Sequence, residues 1–255
     1  MKVVLLNTSS RTGGAAVAAA RLLRALRKQG VSVQMCVLHK EREEDWIETV
    51  EKGRCSHLLN RIRFYWERAV IFLHNHFNRS QLFRVSIANT GTDISRLPCV
   101  READVIHLHW INQGFLSLND IKQLAALGKP IVWTMHDMWP STGICHYARD
   151  CQSFHQMCGS CFYLDSHADK DLSTQIYQKK QQIYKKADIS FVGCSNWIAA
   201  LAKKSGLLRG KRVVDIPNPI DTKLFRPADK SKCRKDLSLP QDKRLILFGA
   251  LNVTD

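Results

Sequence analysis

Six aliphatic and β-branched runs, spaced by stretches of helical periodicity, limit the folds open to this chain more than any other feature. The runs cover residues 2–7, 31–38, 104–109, 130–135, 188–194 and 211–216, and several are apolar at consecutive positions, as strands buried on both faces are. Helical patterns fill 15–29, 57–77, 118–127, 173–186 and 196–204, with Gly30 and Gly128 as stops. Strand and helix in alternation predict an α/β fold: a doubly wound, Rossmann-like parallel sheet. Residues 78–98 have weak periodicity and read as irregular, and 139–170 read as a long cysteine-bearing insertion.

In open parallel sheets ligands sit outside the carboxyl ends of the strands, so residues that follow a strand rank first. Gly13 and Gly14 follow the first run. Glycine lets the backbone approach a ligand, and the helix that starts there has free N–H groups, although a plain turn has the same composition. The third run ends in His107-Leu108-His109-Trp110-Ile111-Asn112. Period two puts both histidines on one face, with His107 deeper and read as a core residue and His109 at the cleft. Trp110 offers a flat surface on which a sugar stacks. The fourth run gives way to His136-Asp137, a polar pair where a buried strand ends; the plainer alternative is a capping Asp beside a surface His.

Nine cysteines are an odd number, which argues against a disulfide framework. Five are scattered and read as small hydrophobes. Cys145, Cys151, Cys158 and Cys161 are spaced C-x5-C-x6-C-x2-C within the insertion. Such thiolates suit a tetrahedral structural zinc, which would staple a segment otherwise poor in regular structure; free thiols and disulfides remain the alternatives. Four thiolates leave no open position, so a catalytic zinc is excluded.

The net charge of +15 points to an anionic membrane surface, a phosphorylated ligand or a merely basic exterior. No RNP, zinc-finger or helix-turn-helix signature accompanies it, so nucleic acid is not expected as a partner. Lys179, Lys180, Lys185 and Lys186 read as a solvated helix face. Leu58, Ile62, Trp66, Ala69, Val70, Leu73 and Phe77 form a stripe on the 57–77 helix, flanked by arginines, that reads either as core or as a surface for anionic lipid. No apolar run is long enough to span a bilayer and the N-terminal run is too short for a signal peptide, which places the chain in the cytoplasm, at or near the inner face of the membrane.

The last run leads into residues 216–227, where Pro217, Pro219, Pro227 and an Asx turn at Asp221 make a rigid exit. This segment resembles V-P-N-G-V-D-x-x-x-F, which closes the first domain of retaining, family 4-type glycosyltransferases of the GT-B fold; Pro219 stands where that family usually has glycine. The Gly13-Gly14 opening, the His107–Asn112 strand end and the T-x-H-D of 134–137 fit the same family. The pattern H-D-M-W-P-x-T-G-x-C-H-Y, followed by C-G-x-C, is similar to a bacterial subgroup that builds colanic-acid-type and other exopolysaccharides. The resemblance covers nearly the whole chain. It implies an acceptor-side domain over 1–225, a linker over 226–243 and the first strand of a truncated donor-binding domain over 244–255. It implies transfer from a nucleotide-sugar to a glycan or lipid-linked acceptor. His109, His136 and Asp137 would lie at the reacting sugar, and Gly13, Gly14, Trp110, Asn112 and Arg149 on the acceptor side. The family's E-x7-E motif and diphosphate-binding cations are absent from these residues, so the polypeptide alone is expected to be inactive or nearly so. The rival expectation is a zinc-stapled module that binds a glycan or an anion without chemistry.

Overall fold

The computed structural model describes residues 1–166 and 168–248, which fall into two compact units, Met1–Pro219 and Ile220–Asp255. In the first unit, β1 (Lys2–Ser9), β2 (Ser32–His39), β3 (Ile47–Thr49), β4 (Val105–Leu108), β5 (Ile131–Met135), β6 (Ile189–Gly193) and β7 (Val213–Asp215) form one parallel sheet in the order β3-β2-β1-β4-β5-β6-β7. The chain steps outward from β1 to β3, returns to β4 and then steps outward in the other direction. The reversal between β1 and β4 is the topological switch point, where open α/β sheets leave a crevice.

Both faces of the sheet are covered, which is why its strands are apolar at consecutive positions. Leu5, Val33, Met35 and Val37 pack under Ala19 and Leu23 of α1 (Gly14–Lys28). The opposite face, with Leu6, Ile106, Trp133 and Phe191, meets α4 (Leu118–Ala125), α5 (Leu172–Lys186) and α6 (Asn196–Lys204). Ser117 caps α4 reciprocally with Asp120, and Gly193 has no side chain because Ala199 of α6 lies against it. The expected doubly wound sheet is what the chain forms. β3 escaped the pattern because it is three residues long and only Ile47 is buried.

The stretch expected to be helical over 57–77 forms α2 (Arg54–His74), but the helix faces opposite to the core reading of its stripe. Its buried residues are Asn60, Glu67, Arg68 and Ile71, whereas Leu58, Ile62, Trp66 and Leu73 are exposed. Glu67 Oε1 accepts the backbone N–H groups of Ile87 and Ala88, each at 2.8 Å, and its Oε2 pairs with Arg68 at 2.6 Å. Arg68 in turn donates to the carbonyls of Leu82 and Val85. A buried ion pair thus organises the irregular segment that follows; α3 (Pro98–Arg101) is the helix before β4.

The insertion contains two 3-10 turns, Trp139–Ser141 and Ser153–His155. It is held from α5 by side chains that reach its carbonyls. Lys180 Nζ donates to Trp139 O at 2.6 Å and Thr142 O at 3.0 Å, Tyr184 to Pro140 O at 3.1 Å and Tyr177 to Gln156 O at 2.5 Å. Lys180, expected on a solvated face, is fully buried, its ammonium 3.4 Å from the centre of the Trp139 ring.

In the second unit Asp221 Oδ1 accepts the N–H of Lys223 and Leu224, giving the Asx turn the sequence called for. The segment expected as a patternless linker contains α7 (Lys230–Asp236), capped by Asp229. Of the strand expected over 244–255, residues 244–248 form none and the rest lies outside the described residues. Among the described residues no helix is long and apolar enough to cross a membrane.

Candidate functional site

The carboxyl ends of β1, β4 and β5 bring most of the expected site residues to the switch point. After β1 the loop 9–14 winds about Ser9, whose Oγ accepts the N–H of Arg11 at 3.0 Å and of Thr12 at 2.7 Å. Glu41, from the loop after β2, clasps it: Oε1 accepts Thr12 Oγ1 at 2.7 Å and Oε2 accepts Thr12 N at 3.0 Å, with Ser9 Oγ bonded as well. Burial alone would raise the Glu41 carboxyl, but the hydrogen bonds from Ser9 and Thr12 outweigh it and hold it below its usual value. Gly13 has φ +92°, a conformation that favours glycine, and no atom lies within 4 Å of a Cβ placed there or at Gly14. The start of α1 has no side-chain cap.

β1 and β4 are tied together just above the sheet. Thr8 N donates to Trp110 O at 2.8 Å, Trp110 N to Asn7 Oδ1 at 3.0 Å, and Thr8 Oγ1 to Asn112 O at 2.9 Å. Asn112 is buried and its Nδ2 lacks a hydrogen-bond partner among the described residues.

Three imidazoles stack outward along this edge, with ring centres 4.5 Å apart between His107 and His109 and 5.2 Å between His109 and His136. His107 Nε2 bonds Thr134 Oγ1 at 2.8 Å, and His109 Nδ1 bonds His136 Nε2 at 2.9 Å. Burial drives the pKa of His107 and of His136 down to about 4, with His136 adding to the effect at His107 and Asp137 opposing it at His136. His109, more deeply buried and between two rings, lies well below the ordinary value. The stack is therefore neutral at physiological pH. The depth expected of the first two is reversed: His107, read as a core residue, is half-buried with its ring bonded to Thr134, whereas His109, expected at the cleft, is the buried one; His136 is half-buried.

Asp137, expected at the reacting sugar, is buried and held by three hydrogen bonds. Its Oδ2 accepts Trp110 Nε1 at 2.9 Å and bonds His146 Nδ1 at 2.7 Å, and its Oδ1 accepts Trp139 N at 2.9 Å. Burial opposes ionisation, but the charge and hydrogen bond of His146, then Trp139 and Trp110, hold its pKa below the usual value. His146 Nε2 lies 3.1 Å from Ser86 Oγ, where residues 84–86 and 144–146 form an antiparallel bridge. Asp137 thus positions Trp110 and His146, a residue that the sequence had placed only among the cysteines. Arg149, expected on the acceptor side, lies further out in a groove of about 540 Å³ shared with Met138, Tyr147, Trp197 and Lys204.

Cys145, Cys151, Cys158 and Cys161 line one small cavity, all as free thiols. Burial raises Cys145, Cys158 and Cys161 to about 12. The expected zinc site finds no support: among the described residues no group of three or more His, Cys, Asp or Glu side chains is placed to hold a metal ion. The staple that the insertion requires is supplied instead by Lys180, Tyr177 and Tyr184, and by Asp171 Oδ2, which accepts Cys161 N at 2.7 Å.

A parallel α/β domain with polar residues converging on its switch point has the layout in which open sheets bind ligands. Residues 12–224 match the model of glycosyltransferase family 4, and the chain belongs to that family. It is 24% identical over 205 residues to the putative colanic acid biosynthesis glycosyl transferase WcaC of Escherichia coli K12, an alignment covering 76% of this chain and 47% of that protein. The chain thus spans about half the length of the curated relative it matches. Crystal structures of Anabaena Alr3699/HepE with UDP and with UDP-glucose are each 12% identical, cover 93% of this chain and 50% of theirs, and superpose with TM-scores of 0.46 and 0.40. Likenesses at that level carry no argument about substrate.

Proposed function

We propose that this chain is the acceptor-side part of a retaining, GT-B glycosyltransferase. It would move a sugar from a nucleotide-sugar to a glycan or lipid-linked acceptor in the synthesis of a bacterial surface polysaccharide. Family membership supports the reaction class, and the likeness to WcaC supports the pathway. The observation that carries the site is the neutral, partly exposed His136 at the end of β5, backed by two further imidazoles and beside Trp110, which Asp137 fixes through its indole N–H.

An acceptor sugar stacks on the indole of Trp110, and the backbone at Gly13 and Gly14 forms the opposite wall. His136, neutral, hydrogen-bonds a sugar hydroxyl near the anomeric carbon. His109 takes no part in contact with substrate; it holds the ring of His136. The donor's nucleotide and diphosphate are bound mainly by groups outside this domain, so residues 1–255 alone bind acceptor and turn over little.

The test is transfer of radiolabelled sugar from nucleotide-sugars into a bacterial lipid and glycan extract, using the full open reading frame that contains these residues. His136→Ala should lower kcat/KM by roughly 10²-fold or more, in the range of a lost positioned hydrogen-bonding group. Transfer unchanged by His136→Ala, in a variant that still folds, removes His136 from the site. Absence of transfer with every nucleotide-sugar favours the rival binding module.

A further inference from the structure

Helix α2 is an amphipathic helix turned inside out. Its buried side is mainly polar, Asn60, Glu67 and Arg68 together with Ile71, and most of its large apolar side chains face out. Leu58 is 57% exposed, Ile62 54% and Trp66 57%, and Leu59, Tyr65 and Leu73 are exposed with them. At about 100° per residue these side chains occupy an arc of roughly 120° along more than four turns. Phe77 and Phe83, both exposed, continue the surface past the helix end. Exposed apolar residues are ordinary when scattered, but a continuous patch of large ones marks a docking surface.

The charges around the patch identify the partner. Between residues 52 and 84 the only acidic residue is Glu67, which is buried and already paired with Arg68. Lys52, Arg54, Arg61, Arg79 and Arg84 are exposed. An apolar stripe with cations in excess around it, Asp93 and Asp165 being exposed carboxylates at its edges, matches an anionic bilayer, where the side chains enter the acyl boundary and the cations meet headgroup phosphates. The face also adjoins the cleft. Arg63 of α2 donates to Thr92 Oγ1 at 2.6 Å, and Gly114, two residues after Asn112, lies so close to α2 that a Cβ there would be 3.5 Å from Arg63 Cβ.

We infer that the outward face of α2 is a membrane-docking surface for anionic lipid, and that it sets the β4 end of the cleft beside the bilayer. Docking stands on the surface alone; that the cleft there meets a lipid-linked sugar rests on the transferase reading above.

The experiment is co-sedimentation of the 255-residue chain with vesicles of phosphatidylcholine alone and of phosphatidylcholine with phosphatidylglycerol. Binding is expected to the anionic vesicles and to weaken with salt. Ile62→Glu with Trp66→Glu should lower the partition coefficient at least about tenfold, without changing the circular dichroism of a fold in which both side chains are already exposed. Arg54→Glu or Arg61→Glu should each lower it on anionic vesicles by about fivefold or more, from roughly 1 kcal/mol per basic residue, and leave neutral vesicles unaffected. Bromine-labelled lipid should quench part of the tryptophan emission, and Trp66→Phe should remove that part while retaining binding. Failure to bind anionic vesicles overturns the proposal. So does a self-associated chain that the Glu variants turn into monomer with no vesicle binding, since a second copy would then be the occupant. Vesicle binding without sugar transfer leaves docking intact and counts only against the transferase reading.

Discussion

Acidification should destabilise this domain well above the range in which carboxylates titrate, because its histidine stack is buried neutral. His107 and His136 have folded pKa values of about 4, against 6.5 unfolded. Between those values the unfolded chain binds protons that the folded one refuses. Stability is therefore fully present above the unfolded value and is lost as pH falls through the window toward the folded one. Worked from about pH 7 to about pH 5, each ring removes roughly 2 kcal/mol, so the two together remove about 4. His109 shifts further in the same direction and adds to the loss. Both outer rings retain some exposure, which makes the figure a ceiling, yet it is a large share of the roughly 5–15 kcal/mol typical of a whole domain. Asp137, Glu41 and Glu51 are held below the usual carboxylate range by their hydrogen bonds, so their contribution is lost only at lower pH. Urea unfolding at stepped pH measures the slope. His107→Gln, which keeps a hydrogen-bonding partner for Thr134, should flatten it by about 2 kcal/mol over the same interval. A wild-type loss below about 1 kcal/mol would mean that the rings bind protons in the fold, and the neutral stack would be refuted.

Four further outcomes are expected. Lys180→Met removes the donor to two buried carbonyls and should cost about 2 kcal/mol in urea unfolding, the lost charged hydrogen bonds being partly offset by a buried charge no longer desolvated; a neutral effect would show that the insertion is held by other means. Gly143→Ala places a Cβ 2.6 Å from the carbonyl oxygen of Ser173 and should cost about 1–3 kcal/mol, read as a lower melting temperature. Asp137→Asn should lower transfer activity more than it lowers acceptor affinity, with Trp110 emission altered, since the carboxylate acts through the indole and His146; unchanged emission counts against that coupling. Chelator treatment should leave the melting temperature of the isolated chain unaltered, and one tightly held zinc per chain by metal analysis would return the four thiols to the role their spacing suggested.

The sheet was legible because two-sided burial forces apolar residues at consecutive positions, and no charge interrupts such a strand. Strand ends were legible for the complementary reason: His136 and Asp137 break an apolar run where the sheet stops. What failed were inferences from one residue type in isolation. Lys180 reads as solvated among lysines, yet Ile176 and Tyr184 four residues to either side already placed it on the buried stripe of α5. Glu41 clasps the glycine loop from a strand end some thirty residues on, a contact that no local pattern encodes. The four cysteines converge on one cavity, as their spacing suggested, but among the described residues they are not placed to hold a metal, and carbonyls of the segment that appeared to need one are satisfied from α5.

α2 carries the same lesson in reverse and joins the two ends of the functional reading. Periodicity established its stripe but not which side faces inward; the buried Glu67–Arg68 pair decides that, because it ties α2 to the backbone of residues 82–88. With the stripe outward, part of the basic excess of the chain acquires a place: exposed cations line the helix, whereas the ends of β4 and β5 carry three neutral imidazoles and one carboxylate already satisfied. Those imidazoles and that carboxylate orient hydroxyl groups well but supply no positive charge to a leaving diphosphate, whose developing charge needs one. On the proposed reading, acceptor orientation and membrane contact therefore belong to this domain, and neutralisation of the leaving group belongs to residues outside the cleft. His136→Ala should accordingly impair acceptor-dependent transfer while leaving the affinity for nucleotide diphosphate unchanged, and an equal loss of both would place the diphosphate against β5 and undo that division.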